Sequence, residues 1–555
     1  MKFLIFKNIM VHPISNIFIG ISFLCFYTLV WHNNLFSLFS IIDDHIIIYL
    51  VGKDNIFTFK DIFKYLNFMG DFSINKDTFS GRFRPSFQLI RMFEIFLFDA
   101  NVFLYQLLRF ITFYSFLLII IFLILKYNGY FYGFLIILTS LSFQFWSDIF
   151  TRIITSEFYV IFGLTFFIPT CYKIKKYIEG NHNNKLKIFL FSLLYLSSGL
   201  IVIGSKENFI FLIIIPIYFL YLSYKKSKFD LSVIFSNIIL ILFSLLTVFI
   251  LLNHFIFSES DISGFGSFEY ILFIKIFYKF TKILLFKWGF FYTLIILFFT
   301  LIYPKSRKTI LSSKFKIKKI IRSYFPFLTL LMILLIFQLI FYTGQLPTGN
   351  RYDFPSLFFF ILFCTWQIKF LKSYLEIFNW NAKIINNIIL SYLILLLFFT
   401  NPIHIYKHYQ NSSKHFERTL QFNNSINQIV SYAEKHPQKD IIINTFNVWD
   451  YELISSVNKY LKYNNLNNKT YLKVFFKKND YQTSVEHEFV RRINKISYGL
   501  GDDGDLIMNK FRSTWKYESI ENFIFNKNRC ISINLKRHDQ KLNCGYHLVL
   551  KYSGH

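Results

Sequence analysis

The sequence predicts a mainly α-helical membrane protein, a polytopic bundle of about eleven transmembrane helices followed by a small C-terminal domain outside the membrane. The chain has 555 residues, of which 54% are hydrophobic and 21% are aromatic, including 76 Phe. A soluble core cannot hide that much apolar surface, because the buried share of the surface grows only slowly with chain length. Apolar runs of about 18 residues or more recur along the chain, and such runs indicate membrane-spanning helices.

Eleven apolar segments are long enough to be candidate spans. They are residues 14–31, 102–125, 130–146, 157–172, 187–203, 208–224, 231–253, 284–303, 325–342, 354–370 and 384–401. A long polar stretch, 32–101, follows the first span, and a tail without any further long apolar run follows the last. We therefore divide the chain into a transmembrane domain, 1–401, and a C-terminal domain, 402–555.

Basic residues orient these spans. If the N-terminus is cytoplasmic, the loops on that side hold "KIKKY" and "KKSK", whereas the short opposite loops hold one basic residue each, Arg152, Lys206 and Arg351. Cytoplasmic loops carry an excess of Lys and Arg. We therefore expect an integral membrane protein with loop 32–101 and the C-terminal domain on the outer face. The net charge of +28 is spread between apolar segments, so membrane lipids, and no nucleic acid, are expected partners.

Two outer segments are typical of amphipathic helices that lie in the membrane interface. In "TFKDIFKYLNF" one face collects Phe59, Ile62, Phe63 and Leu66. Thr58 and Asp61 stand at the spacing of a capping pair. The segment "SFEYILFIKIFYKFTKILLFKW", 267–288, combines three lysines with an apolar face in the same way.

The composition changes after residue 401, where Asn, Lys and charged residues become more frequent. "KDIIINTF", "YLKVFFK", "CISINLK" and "YHLVLKY" are typical of strands, and "SKHFERTLQFNNSINQIVSYAEKH" of a helix. These segments predict a small extracytoplasmic domain of α/β or α+β type. Cys530 and Cys544 lie in this tail and could pair in an oxidising compartment.

Two carboxylates, Asp43 and Asp44, follow the first span between isoleucines in "IIDDHIII". Adjacent carboxylates in a partly dry site repel each other, so one of them becomes a good general base. The pair could instead hold a divalent cation or be solvated at the start of a loop. His45 is interpreted as a neighbour that tunes the carboxylates rather than as a metal ligand.

Two arginines, Arg82 and Arg84, precede Pro85 in "SGRFRPSFQL". Guanidinium groups bind phosphate with two parallel hydrogen bonds. The arginines therefore indicate either a specific phosphate site or general contacts with lipid headgroups.

These motifs together resemble the GT-C superfamily of integral membrane glycosyltransferases, especially the branch of protein O-mannosyltransferases and bacterial lipid-linked sugar transferases. The carboxylate pair after the first span, the long outer loop and "GRFRPSFQL…LFDANVFLYQ" follow the order of that family. Ser205, Lys206, Glu207 and Asn208 resemble its Ser-Lys-Glu motif, and Arg351, Tyr352 and Pro355 resemble its Arg-Tyr motif.

The resemblance implies an inverting transfer of a sugar from a polyprenyl-phosphate donor to a lipid-linked or cell-surface glycan acceptor. Asp43, or else Asp44, would take the proton from the attacking acceptor hydroxyl. Glu207 and Tyr352 would contribute to substrate binding. The charge on the leaving phosphate would be stabilised by a cationic clamp that consists of Arg82, Arg84, Lys206 and Arg351.

Arg152 and Glu157 are two further candidates for substrate binding, in "DIFTRIITSEF". They either belong to the polar site or form a simple pair at a helix end. No His, Cys and Glu cluster has the spacing of metal ligands, so no cofactor is assigned beyond the possible divalent cation.

Two other classes of protein are expected to have a similar topology, namely a transporter or flippase and a polymerase of lipid-linked saccharides. A transporter should carry charged residues near the middle of several spans, whereas these spans are mostly Leu, Ile and Phe. A polymerase should have a large late outer loop with paired arginines. The positions of the polar residues favour the glycosyltransferase.

Overall fold

A computed structural model describes most of the helical part of the chain. The described residues are 13–39, 44–51, 57–68, 83–180, 184–257, 289–302, 351–378 and 380–445, with isolated positions in 274–285, most of 456–474, and two strands near the C-terminus. The predicted span 325–342, the segment 258–273 and Cys544 lie outside the described residues.

The described chain is mainly helical. Its helices are α1 (Pro13–Leu35), α2 (His45–Val51), α3 (Phe59–Phe68), α4 (Pro85–Phe98), α5 (Val102–Asn128), α6 (Tyr130–Leu141), α7 (Phe145–Phe150), α8 (Ser156–Ile178), α9 (Lys185–Ser205), a 3₁₀ helix (Glu207–Ile213), α10 (Ile214–Lys225), α11 (Leu231–Phe257), α12 (Phe290–Ile302), a 3₁₀ turn (Arg351–Asp353), α13 (Ser356–Ile377), α14 (Ala382–Thr400) and α15 (Ile403–Lys435).

Within these described residues, eight helical segments are long and apolar enough to cross a membrane. They are α1, α5, α8, α9, the 3₁₀ helix with α10, α11, α13, and α14 continuing into α15. Two predicted spans, 130–146 and 284–303, correspond to the shorter apolar helices α6 and α12. A multi-pass helical membrane protein is thereby confirmed, while the total of eleven spans stays a prediction.

Small residues allow the central helices to pack closely. A Cβ atom on Gly163 of α8 would lie 2.7 Å from a methyl carbon of Val202 in α9. A Cβ atom on Gly199 of α9 would lie 2.8 Å from Leu240 in α11 and 3.1 Å from Phe167 in α8. Close approach through small residues is typical of helices within a membrane. The pairs Gly163–Val202 and Phe167–Gly199 also show that α8 and α9 are antiparallel.

This antiparallel packing gives the bundle two ends. We call the end where α8 begins and α9 ends the charged end, because Asp44, Arg84, Glu157, Lys206 and Arg351 lie there. The opposite end is the lysine-rich end, with Lys173, Lys175 and Lys176 near the end of α8 and Lys185 and Lys187 at the start of α9.

Helix α4 packs against the charged end and is shorter than the helices that could cross a membrane. At its start, the Ser86 hydroxyl donates to the Leu200 carbonyl near the end of α9, at 2.8 Å. At its end, only residues 99–101 separate it from α5. Its 14 residues make a helix of about 21 Å. Pro85 occupies the first turn, where a missing N–H costs nothing.

The predicted interfacial helix at 58–68 is present as α3. Its Asp61 carboxylate accepts from the Thr58 backbone N–H at 2.9 Å and from the Thr58 hydroxyl at 2.6 Å. Ile62 and Leu66 are buried, whereas Phe59 and Phe63 are about half exposed. Phe59 contacts the rings of Phe93 and Phe96 on α4, so α3 packs on α4.

Helix α15 ties the C-terminal part of the chain to the charged end. His408 hydrogen-bonds the Leu141 carbonyl at the end of α6, at 3.1 Å. Ser412 donates to Asn34 at the end of α1, and the Asn423 amide donates to the Phe39 carbonyl. The helix predicted from residue 413 onward therefore begins ten residues earlier, at Ile403.

Four short strands follow α15 and coincide with the four strand-like segments of the sequence. They are β1 (Asp440–Thr445), β2 (Thr470–Val474), β3 (Cys530–Asn534) and β4 (His547–Val549). They form one parallel sheet in the order β2-β1-β3-β4, with Ile441 opposite both Thr470 and Ile531. The boundary of a separate C-terminal domain at residue 402 stays a prediction.

Candidate functional site

Charged side chains from several distant segments are buried together at the charged end. Asp44 is fully buried, and Glu157, Lys206 and Glu207 are each 1% exposed. Such groups are stable in a dry environment only when they are paired and hydrogen-bonded. The network of pairs is therefore the central feature of this end.

The first pair joins α4 to the 3₁₀ helix. Arg84 donates from Nε to Oε2 of Glu207 at 2.7 Å and from Nη2 to Oε1 at 2.6 Å. This is the two-bond geometry in which guanidinium and carboxylate match best. Arg84 stands just before α4, and Glu207 begins the 3₁₀ helix after the extended Lys206 (φ −154°, ψ 123°). A Cβ atom on Gly204 would overlap the Ser86 hydroxyl, so glycine lets these segments meet.

The second group centres on Glu157, at the start of α8. Its Oε1 atom is in contact with Nζ of Lys206, and its Oε2 atom lies 3.8 Å from Nε of Arg351. The backbone N–H of Arg351 donates to Oδ2 of Asp148 at 3.1 Å, and Nε of Arg152 donates to Oδ1 of Asp148 at 3.1 Å. One chain of contacts thus links the loops before α8, after α9 and before α13.

Tyr352 provides an aromatic face beside the two cations of this group. Nζ of Lys206 lies 4.6 Å from the ring centroid, and the guanidinium carbon of Arg351 lies 5.4 Å from it. Cations in such positions are attracted by the ring electrons. Burial lowers the pKa of Lys206, and the contact with Glu157 partly offsets that effect. The lysine depends on these partners to keep its charge.

A third group surrounds Arg109, at the start of the third turn of α5. Its Nη2 atom donates to Oε2 of Glu94 at 3.1 Å, and the Tyr159 hydroxyl donates to the same oxygen at 2.6 Å. Its Nη1 atom donates to the Tyr105 carbonyl at 3.0 Å. Its Nε atom donates to the Ile153 carbonyl at 2.6 Å.

Asp44 is connected to Arg109 through one peptide group. The N–H of Ile154 donates to Oδ1 of Asp44 at 3.1 Å. The C=O of Ile153, which accepts from Arg109, belongs to the same peptide plane. A cation on the oxygen of a peptide polarises it and strengthens the N–H as a donor. Arg109 therefore supports Asp44 without touching it through its side chain.

The structure brings most of the predicted site residues together. Seven of them belong to the pairs described above, namely Arg84, Lys206, Glu207, Arg351, Tyr352, Arg152 and Glu157. Arg152 and Glu157 are bonded to Asp148 and Lys206, so both belong to the polar cluster. Asp43 and Arg82 lie outside the described residues, and His45 is described only as the first residue of α2.

The predicted clamp differs from the observed arrangement in one respect. Arg84, Lys206 and Arg351 were expected as cations directed at a ligand, but each contacts a carboxylate of the protein. Among the described basic residues of the network, the side chains of Arg351 (19%) and Arg152 (35%) are more exposed than those of Arg84 (6%) and Lys206 (2%). The side-chain contacts of Arg351 with Glu157 and Asp148, at 3.8 and 4.0 Å, are longer than hydrogen bonds. A ligand would therefore meet these two arginines first.

Sequence reasoning missed Asp148, Glu94, Arg109 and Tyr159. Three of them did carry a signal, because a charged residue inside an apolar helix is expensive and is a candidate for function by default. Arg109 lies in "YQLLRFITF", Glu94 in "RMFEIFLF" and Asp148 in "FWSDIF". Tyr159 carried no such signal, since an aromatic residue in an apolar helix is ordinary.

No group of three or more His, Cys, Asp and Glu side chains within the described residues could hold a metal ion. Asp43, one of the two carboxylates suggested as cation ligands, is not among these residues. The possible divalent cation stays a prediction.

No protein-family model, curated protein or solved structure matches this chain. The class of protein is therefore defined by its own features. It is a multi-pass helical membrane protein with a buried network of ion pairs at one end of its bundle.

Proposed function

We propose that the protein is a GT-C-type glycosyltransferase of the bacterial inner membrane. It would transfer a sugar from a polyprenyl-phosphate donor to a lipid-linked or cell-surface glycan acceptor on the outer face. One observation carries the proposal: motif residues that are far apart in sequence form connected pairs at one end of the bundle. Arg84 binds Glu207 across 123 positions, and Lys206 binds Glu157 across 49.

The position of the charges favours chemistry at the membrane surface over transport. The charged residues of the described chain that are classed as buried all belong to segments at the charged end. Arg109 lies deepest, as the eighth residue of α5, about 11 Å along the helix axis. A transport path would place charges near the middle of several spans. The phosphate of a membrane lipid, in contrast, lies at the membrane surface, level with the ends of the spanning helices.

In the proposed reaction the acceptor hydroxyl attacks the anomeric carbon of the donor sugar. Asp43 takes the hydroxyl proton, the bond from the anomeric carbon to the phosphate oxygen breaks, and the configuration inverts. Arg351 and Arg152, the two more exposed guanidiniums, stabilise the negative charge on the leaving polyprenyl phosphate. Asp44 and the Arg84–Glu207 and Lys206–Glu157 pairs hold the surrounding loops in place.

Deletion of the gene, followed by mass measurement of intact surface glycolipids, tests this proposal. Loss of a single sugar unit is expected and would name the transferred sugar. Return of that unit is expected with the wild-type gene and with Glu179→Gln, a carboxylate change at the other end of α8. Asp43→Asn should not restore it although the protein reaches the membrane.

Three outcomes would contradict the proposal. Full restoration by Asp43→Asn would remove the proposed base. Accumulation of complete, unaltered lipid-linked saccharides inside the cell would instead indicate a flippase, and glycans of normal unit but reduced length would indicate a polymerase.

A further inference from the structure

Asn208 has an unusual environment at the charged end. Its side chain is 2% exposed, and within the described part of the chain neither Nδ2 nor Oδ1 has a hydrogen-bond partner. The hydroxyl of Ser205, which is fully buried, has no partner there either. The two residues are three positions apart, so their Cα atoms lie within about 11 Å of each other.

Five other buried amides of the described chain differ from Asn208. Asn34, Gln106, Asn237, Gln367 and Asn468 each make at least one hydrogen bond. Asn237 is a clear example, because it accepts from the Tyr195 hydroxyl at 2.9 Å and donates to the Val233 carbonyl at 2.8 Å. Asn208 is therefore not explained as part of an internal network of the kind that holds Asn237.

The cost of this arrangement points to a bound molecule. Each buried polar group without a partner costs about 1–3 kcal/mol, and an apolar side chain of similar size would avoid that cost. The two residues before Asn208 are held in ion pairs, Lys206 with Glu157 of α8 and Glu207 with Arg84. Asn208 thus lies on a segment that is fixed in place and adjoins the proposed phosphate site.

The chemistry of the unpartnered groups narrows the class of ligand. A carboxamide offers two donors and one acceptor oxygen, and a hydroxyl offers both functions. A phosphate provides only acceptors and would leave Oδ1 unsatisfied, while an ammonium group provides only donors. A hydroxyl group donates and accepts at once, so a polyhydroxylated ligand satisfies both atoms of Asn208.

We propose that Asn208, with Ser205, binds hydroxyl groups of the sugar carried by the donor lipid. This inference rests on the proposed function and names residues for the recognition of the sugar, as distinct from the phosphate. Asn208 contacts the sugar directly, whereas the neighbouring ion pairs fix the position of the segment.

The test compares two amides by thermal unfolding of the full-length protein in detergent. Without lipid, Asn237→Leu should lower Tm, because it leaves the Tyr195 hydroxyl without its partner. Asn208→Leu should leave Tm unchanged or raise it, because no internal bond is lost. A fall in Tm for Asn208→Leu as large as that for Asn237→Leu would show a structural asparagine and overturn the inference.

The second arm adds synthetic lipids, namely polyprenyl phosphate alone and the same lipid bearing glucose, mannose or galactose. At least one glycosylated lipid should raise the Tm of the wild-type protein more than the bare lipid does. Asn208→Leu should lose that extra rise, with affinity for the glycosylated lipid about three- to tenfold weaker. Affinity for the bare lipid should be unchanged.

The possible failures of this arm are distinct. If no lipid shifts the wild-type Tm, the donor of the proposed function is wrong, and the inference falls with it. If the bare lipid shifts Tm but no sugar adds to the shift, or if Asn208→Leu keeps the extra rise, only the inference is overturned. Because transfer is not measured, sugar binding in a protein without transfer activity would support the inference and contradict the transfer.

Discussion

Charged side chains at the two ends of helix α8 are stabilised in different ways. At its start, Glu157 is 1% exposed and contacts Lys206 and Arg351 from distant parts of the chain. At its end, Lys175 and Glu179 form a local pair at 3.9 Å, with side chains about 40% exposed. The exposed pair is solvated and contributes little to stability. The buried pairs, in contrast, are costly to break. Their burial indicates that the charges at this end serve a purpose other than solubility.

Removal of one partner of the Arg84–Glu207 pair should give the largest effect and the sharpest contrast between the two ends. Arg84→Met leaves a carboxylate buried without compensation, which costs about 3–5 kcal/mol. We expect a large fall in Tm and poor recovery from membranes. The double variant Arg84→Met with Glu207→Leu should recover much of the loss, as measured by thermal unfolding in detergent. Equal Tm for the single and double variants would contradict the paired role.

Arg351→Ala should mainly affect the handling of the donor. Because the Arg351 side chain is more exposed than that of Arg84, we expect a smaller change in Tm than for Arg84→Met. Loss of one charge-assisted contact to the phosphate, about 1.5–3 kcal/mol, should lower kcat/KM by roughly 10- to 150-fold. Transfer rates at varied donor concentration provide the measurement, with Arg351→Lys as the variant that keeps the charge. Unchanged kinetics in Arg351→Ala would exclude it from the phosphate site.

Gly204→Ala tests how tightly the segments at the charged end are packed. The new methyl group would overlap the Ser86 hydroxyl, and overpacking of this kind typically costs about 1–3 kcal/mol. Gly20→Ala in α1 is the matched control, because its nearest contact would be the Tyr114 hydroxyl at 3.9 Å. A measurable fall in Tm is expected for Gly204→Ala only. Similar Tm values for both variants would mean that α4 can move away without cost.

Glu179→Gln at the lysine-rich end should give the smallest effect. It removes an exposed contact within one helix, whose typical contribution is below about 0.5 kcal/mol. We expect Tm and transfer rate to match the wild type within error. A change comparable to that of Arg84→Met would remove the distinction between the two ends.

Much of the fold could be predicted from the sequence, because its signals are local. Length and hydropathy located the eight spans, alternation of residue types located the strands, and the Thr58–Asp61 spacing located the start of α3. The start of α15 was placed too late, because "HIYKHYQN" is polar and lacks an apolar face that continues α14. Its helical form depends on bonds from His404 and His408 to residues 141–147.

The sequence predicted which residues belong to the site, but not which of them form pairs. Motif order identified Arg84, Lys206, Glu207 and Arg351 as neighbours on one face. Nothing local shows that Arg84 binds Glu207 or that Lys206 binds Glu157, because such choices depend on how four helices pack. The same holds for Asn208, whose lack of a partner becomes visible only when its surroundings are known.

The peptide between Ile153 and Ile154 has a consequence for how this protein can vary. The Ile153 carbonyl and the Ile154 N–H connect the guanidinium of Arg109 to the carboxylate of Asp44. The apolar side chains of the two isoleucines take no part in this connection. Any residue with a backbone N–H can therefore stand at position 154 as far as this connection is concerned, whereas proline cannot. The peptide that joins Arg109 to Asp44 would then leave almost no trace in the identity of residues 153 and 154.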